Sequence, residues 1–340
     1  MSEHRTILQV KNLKKYFPIK AGFFSKTVGN VKAVEDVSFS LSAGETLGLV
    51  GESGCGKSTV GRCIVRGIDP TAGNVLFNTR EGTEVDLATM ESKTLRGLRK
   101  DFQMIFQDPN SSLDPRMTVY DIISEPLLVN GFAGRGSSEL DARVIELAEM
   151  VHLNISHLKR YPHAFSGGQR QRIGIARALA TNPQLVIADE SVSALDVSVQ
   201  AQIINLLKDL QEKLNLGFLF IAHDLSVVQH ISDKVAVMYL GLIVETAPTE
   251  ELFFTPKHPY TEALLSSVPK PDPDDKGEAM VLAGEVPNPA FPPEGCYFHP
   301  RCKYATDICK TLRPQLKEIS PGHEVACHHA ETLLLKGVNQ

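Results

Sequence analysis

The chain has 340 residues, enough for one full α/β domain with a smaller appendage. Its 42% hydrophobic and 22% charged content is that of an ordinary globular protein and excludes collagen-like and disordered classes. The net charge of −5 carries no nucleic-acid footprint, the start MSEHRTILQV has no apolar signal core, and the most apolar run, residues 235–244, is too short to span a bilayer. The expectation is a cytoplasmic protein whose connection to a membrane, if it has one, is peripheral.

In chain order, residues 7–13 read as an edge strand with a loop running on to Asn30, and residues 33–41 alternate as a half-buried antiparallel strand. The short apolar run 45–50 predicts a buried parallel strand. It leads into GESGCGKST: Gly51, Glu52, Ser53, Gly54, Cys55, Gly56, Lys57, Ser58 and Thr59. The pattern G-x-x-x-x-G-K-[ST] between a strand and a helix is a phosphate loop. Its glycines let backbone N–H groups turn onto phosphate oxygens, Lys57 reaches the β- and γ-phosphates, and the Ser58 hydroxyl coordinates Mg²⁺. A chance glycine turn would not match four positions in that setting. Cys55 and Cys63 read as small buried thiols.

A strand at residues 74–77 and a basic helical stretch ending near Lys100 follow. Residues 101–107 read as a strand running out into the loop DPNSSLDPR, and 140–151 as a small helical insertion. Ser166, Gly167, Gly168 and Gln169 form a second glycine loop, opening a helix over 168–182. The apolar strand 184–190 ends in Asp189 and Glu190. A carboxylate there can hold Mg²⁺ through water, and its neighbour can orient or deprotonate an attacking water. The plainer reading, an acidic pair capping the next helix, weakens beside the Gly51 loop. A long amphipathic helix at 197–214 and a strand at 217–222 complete an alternation of strands and helices, which predicts a mainly parallel sheet covered on both faces.

The texture changes near Thr255, where a domain boundary is placed: 1–255, then 256–340. A short helix is expected at 260–268. Pro269, Pro271, Pro273, Pro287, Pro289, Pro292 and Pro293 then exclude continuous helix or central strand. The tail beyond is expected to be a small irregular region with no helix or strand to support it. Its Cys296, Cys302, Cys309 and Cys327 are spaced C-x5-C-x6-C-x17-C, a clustering that favours a metal site over disulfides in a cytoplasmic chain. Tetrahedral zinc is one occupant, with His299, His323, His328 and His329 as alternative ligands, and free thiols in a small core are the bland option.

SGGQRQR ahead of the strand ending in Asp189-Glu190 resembles the ATP-binding cassette family. The resemblance implies the cassette fold, a P-loop domain with a mainly parallel sheet, an antiparallel edge sheet and a helical insertion. It also implies two cassettes meeting head to tail, with the Ser166–Gln169 loop facing the γ-phosphate of ATP held by the partner. Gln107 matches the loop glutamine that approaches Mg²⁺, His223 the histidine at the γ-phosphate, and Asp196 in Ser-Ala-Leu-Asp the loop that touches the opposite cassette. Phe17, with Tyr16 as the alternative, matches the aromatic that stacks on adenine. Ser191 departs from the proline usual after the glutamate, which removes no catalytic group.

FQDPNSSLDPRMTV, YPHAFSGGQRQRI, DESVSALDVSVQAQIINLL, HDLSVVQHISDKVAVMYLG and KHPYTEALL with the cysteine region resemble the ATPase subunits of oligopeptide and dipeptide permeases over essentially the whole chain. That likeness implies ATP and Mg²⁺ as ligands and import of peptides as the work. Nickel and glutathione importers share the tail and stand as alternatives. It further implies a related second cassette in a heterodimer, two transmembrane permease subunits, an extracytoplasmic solute-binding protein, and a place at the cytoplasmic face of the inner membrane. Some relatives with this tail bind a [4Fe–4S] cluster, which the four cysteines could hold. A nucleic-acid-associated cassette is disfavoured, because the stretch 108–165 holds no long coiled coil.

Overall fold

The computed structural model describes residues 5–21, 26–267, 282 and 284–338. The chain runs β1 (Thr6–Ala21), β2 (Lys26–Ser42), β3 (Thr46–Val50), α1 (Lys57–Ile64), β4 (Ala72–Asn78), β5 (Glu84–Asp86), α2 (Ser92–Leu98), β6 (Phe102–Ile105), α3 (Pro109–Ser112), α4 (Val119–Val129) and α5 (Ser138–Met150). It continues through α6 (Gly167–Leu179), β7 (Leu185–Asp189), α7 (Val197–Leu214), β8 (Gly217–Ile221), α8 (Leu225–Ile231), β9 (Lys234–Tyr239), β10 (Leu242–Pro248), α9 (Thr249–Phe254) and α10 (Pro259–Ser266). The last elements are α11 (Asp307–Thr311), β11 (Lys317–Ser320) and β12 (His323–Val325). This is an α/β chain, and it divides into two compact units.

The first unit holds Ser40–Glu45 and Phe77–Ile221 with the chain up to Leu8. Its centre is the parallel set β6, β7 and β8, in register Phe102 with Leu185 and Asp189 with Ile221. Every residue of β7 and β8 is buried, as strands covered on both faces require. Helix α7 shows why the sequence folds this way. Asp196 caps its start, Asn215 closes it in a left-handed turn, and Ile203, Ile204, Leu207 and Leu210 form one buried stripe. Truncating Leu207 to alanine removes about 2–5 kcal/mol of that packing. The helical insertion is larger than expected. Besides α5 it contains α4, begun by a Thr118–Asp121 capping box, and both pack with α6.

The second unit holds Gln9–Phe39, Thr46–Leu76 and Ala222–Gln340. Here β3 runs parallel to β9, and β9 turns back antiparallel into β10. The apolar run 235–244 is thus a hairpin. Leu240 and Gly241, both at positive φ (45° and 81°), make the two-residue turn between Tyr239 and Leu242. Among the described residues no helix is long and apolar enough to cross a membrane.

Three expectations need correction. β1 is not an edge strand, since it lies between β4 and β2, and the expected loop to Asn30 is strand from Lys26 onward. The cysteine region is not without secondary structure: α11 and the β11–β12 hairpin support it, and β12 adds to β10 with Glu245 opposite Val325. These strands have three or four residues, too short to show a period. Of the proline-rich stretch, 269–281 and 283 lie outside the described residues.

Candidate functional site

The phosphate loop belongs to the second unit, where β3 delivers it and α1 receives it. Its conformation requires glycine. Gly51 has φ 149° and Gly56 φ 108°, and a Cβ at either would stand 2.1 Å from the Met238 carbonyl oxygen or 2.0 Å from that of Ala33. Lys57 is buried, and its ammonium donates to the carbonyls of Gly51 (2.8 Å) and Glu52 (3.0 Å). The β9–β10 turn supports the loop from behind, with Gly241 N–H donating to the Cys55 carbonyl at 3.0 Å. Burial pushes the Cys55 thiol up from its ordinary value and the Cys63 thiol to about 11, so both stay protonated packing groups.

Glu52, within the loop, bonds two residues from far along the chain. Its N–H donates to the Tyr260 hydroxyl at 2.8 Å. Its carboxylate accepts a two-pronged bond from Arg301, at 2.7 and 3.0 Å. Both groups face the C-terminal segment. Neither Tyr260 nor Arg301 was expected at the loop, and no local pattern marks either residue for it.

His223 is exposed, in the turn ahead of α8, and the preceding Ala222 N–H donates to the Leu49 carbonyl of β3 at 3.2 Å. The histidine turn and the strand that delivers the phosphate loop are therefore neighbours. Of the two aromatic candidates, Phe17 is 38% exposed with the Lys15 ammonium 5.0 Å from its ring centre. Tyr16 is half-buried, and burial together with its hydrogen bond to Glu35 pushes its hydroxyl up to about 12. Phe17 is the face open to stacking.

The first unit holds the acidic groups. Asp189 ends β7 buried, and Glu190 follows at φ 45°, a left-handed turn that no glycine supplies. Its N–H is fixed by the Ile221 carbonyl at 2.9 Å, and its carboxylate accepts from Gln107 Nε2 at 2.6 Å. The loop glutamine and the acidic end of β7 are thus joined by a direct bond, which the sequence reading did not foresee. Ser191 is buried behind it.

The tip of α6 is built by its own residues. Ser166 Oγ accepts from Gln169 N–H at 3.3 Å, while Gln169 Oε1 accepts from Ser166 N–H at 3.1 Å. A Cβ on Gly168 would come within 2.3 Å of Val199 Cγ1, so glycine lets this tip close on the start of α7. Asp196, exposed there, accepts from Val199 N–H and Ser198 Oγ, and these bonds hold its carboxyl below the usual range.

A profile for ABC transporters matches residues 34–193, and one for the oligopeptide/dipeptide transporter C-terminal region matches 244–309. The oligopeptide transport ATP-binding protein AppF of Bacillus subtilis is 55% identical over 330 residues, 96% of this chain and 98% of its own. The dipeptide transport ATP-binding protein DppF of Haemophilus influenzae is 47% identical, covering 97% of this chain and 99% of its own. The chain belongs to the oligopeptide/dipeptide ABC transporter ATP-binding family. In fold the cassette is similar to MJ0796, solved as a dimer in a post-hydrolysis state bound to ADP and Pi, with TM-score 0.62, 27% identity, and 72% of this chain and 99% of that one covered.

The cassette's four late cysteines line one pocket with His258, His299, His328 and His329. Burial pushes the Cys296 thiol to about 11 and Cys327 to about 12, and neighbouring cysteines add to both shifts. Cys327 Sγ accepts the His329 N–H at 3.4 Å, and Cys309 Sγ lies 3.7 Å from His329 Nε2. The donor chemistry suits a thiolate-bound group. The geometry is not assembled for one: among the described residues no three His, Cys, Asp or Glu side chains gather closely enough to hold a metal ion.

Proposed function

We propose that this chain is the ATP-hydrolysing subunit of a peptide importer, seated peripherally at the cytoplasmic face of the membrane. Its partners in this reading are a related second cassette, two membrane-spanning permease subunits and an extracytoplasmic solute-binding protein. The supporting observation is the end-to-end likeness to AppF, named for oligopeptide transport.

The local geometry supports a role for each group. Lys57 and the loop N–H groups bind the β- and γ-phosphates. Mg²⁺, when bound, neutralises charge on those phosphates, and Ser58 and Asp189, with Gln107, are the groups to hold it. Glu190, left-handed in backbone and steadied by Gln107, orients the attacking water. His223 stabilises charge at the γ-phosphate, and Phe17 stacks on adenine. Ser166–Gln169 and Asp196 of the same chain serve the nucleotide of the second cassette. The four-cysteine pocket is proposed as a [4Fe–4S] site with zinc as the alternative, a crosslink for the tail. Iron, sulfide and zinc assays on anaerobically purified protein test it, and absence of all three removes it.

The function is tested by reconstituting the whole complex in proteoliposomes with its binding protein. Di- or oligopeptides should raise ATP hydrolysis and enter the lumen. Stimulation by nickel or glutathione with none by peptides would reassign the substrate, and DNA-stimulated hydrolysis would move the chain to another class.

A further inference from the structure

We propose that Arg301 and Tyr260 are positioning residues for ATP: the C-terminal segment holds the first turn of the phosphate loop in its binding form. This rests on the ATPase reading and deepens it.

Glu52 is the joint. On one side its carbonyl accepts the Lys57 ammonium at 3.0 Å and the Cys55 N–H at 3.3 Å, which closes the loop. On the other side its N–H and carboxylate are taken by Tyr260 and Arg301. One residue therefore transmits any shift of the tail to the lysine that meets the phosphates.

The tail side is rigid. The Arg301 side chain is only 6% exposed, and its guanidinium lies 6.0 Å from the centre of the Tyr239 ring. Tyr239, Tyr260 and Phe298 are buried and pack edge-on or tilted, with ring centres 4.7 to 5.3 Å apart. Phe298 and Arg301 both lie between Cys296 and Cys302, and His258 Nδ1 caps α10 by accepting the Tyr260 N–H at 3.1 Å. A two-pronged charged bond from so fixed a donor sets both distance and plane of its acceptor. Removing Arg301 would leave the Glu52 carboxylate near the loop without its cation, repelling the incoming triphosphate as well as freeing the turn.

The test uses the full chain, with Mg-ATP titrated by calorimetry and steady-state hydrolysis followed in the assembled complex. Arg301→Ala should raise both the Kd and the KM for ATP by about tenfold or more, with kcat changed by less than about threefold. Arg301→Lys should recover part of the affinity, and Tyr260→Phe should lose less than Arg301→Ala. Val325→Ala, which truncates a buried side chain of β12 that bonds neither Glu52 nor Arg301, should lower the melting temperature and leave KM unchanged. Wild-type KM in Arg301→Ala, or an equal KM rise in Val325→Ala, overturns the proposal. If the wild-type chain itself binds no ATP, the ATPase reading fails instead.

Discussion

The chain carries two glycine-bearing helix entrances, and they are held in different ways. The tip of α6 is self-sufficient: Ser166 and Gln169 bond each other, and Gly168 closes onto Val199. The phosphate loop before α1 is held from outside. Its helix N-cap, Gly56, is left-handed and has no side-chain cap, and its fastenings come from the β9–β10 turn and from Tyr260 and Arg301. A short local motif can therefore hide a long-range dependence. The capping bonds of the α6 tip are complete within four residues, whereas the phosphate loop is fastened by a residue 249 positions away.

That difference can be broken at its strongest point first. Gly56→Ala places a methyl group against a backbone carbonyl in a backbone conformation that alanine adopts only under strain, so ATP affinity should fall by about a hundredfold or more. Calorimetric titration checks it, and unchanged affinity would deny the loop its required shape. Gly168→Ala meets a side-chain methyl instead, which can yield. The expected cost is about 1–3 kcal/mol of stability, read as a drop in melting temperature, with ATP binding to the isolated chain retained. A loss of ATP binding in that variant as deep as in Gly56→Ala would erase the distinction.

The smallest effect concerns pH. Burial lowers His258 to about 3, against about 6.5 for an unfolded chain. Between those values the unfolded chain binds the extra proton. The contribution of His258 is therefore complete above about 6.5 and is lost as pH falls toward 3, at up to about 1.4 kcal/mol per pH unit. His258→Asn keeps an acceptor for the Tyr260 N–H while removing the titration. Denaturant melts from pH 7 to 5 should show a shallower loss of stability, and an unaltered slope would contradict this.

Much of the site was legible because its chemistry is local. Gly51–Thr59 and Ser166–Gln169 need particular residue types at fixed spacing, and 185–188 and 217–221 are apolar because both faces are covered. The bounds of α7 were read from its amphipathic pattern, 197–214, and match the helix. The left-handed backbone of Glu190 left no trace, since nothing in Asp-Glu-Ser demands it. The tail was misread for a related reason. Its proline content and cysteines suggested an unsupported segment, yet Glu245 of β10, fully buried, accepts the N–H groups of Lys257 and His258 and bonds His323 Nε2 at 2.8 Å. Such fastening depends on residues far apart in the chain, which periodicity does not register.

The claim beneath all of this is that the chain hydrolyses ATP with Glu190 directing the water. Glu190→Gln in the assembled complex tests it most directly, because the amide keeps the shape and a partner for Gln107 while removing the charge. Bound ATP should persist at wild-type affinity while phosphate release falls by at least about a hundredfold. Phosphate release at the wild-type rate would contradict the account.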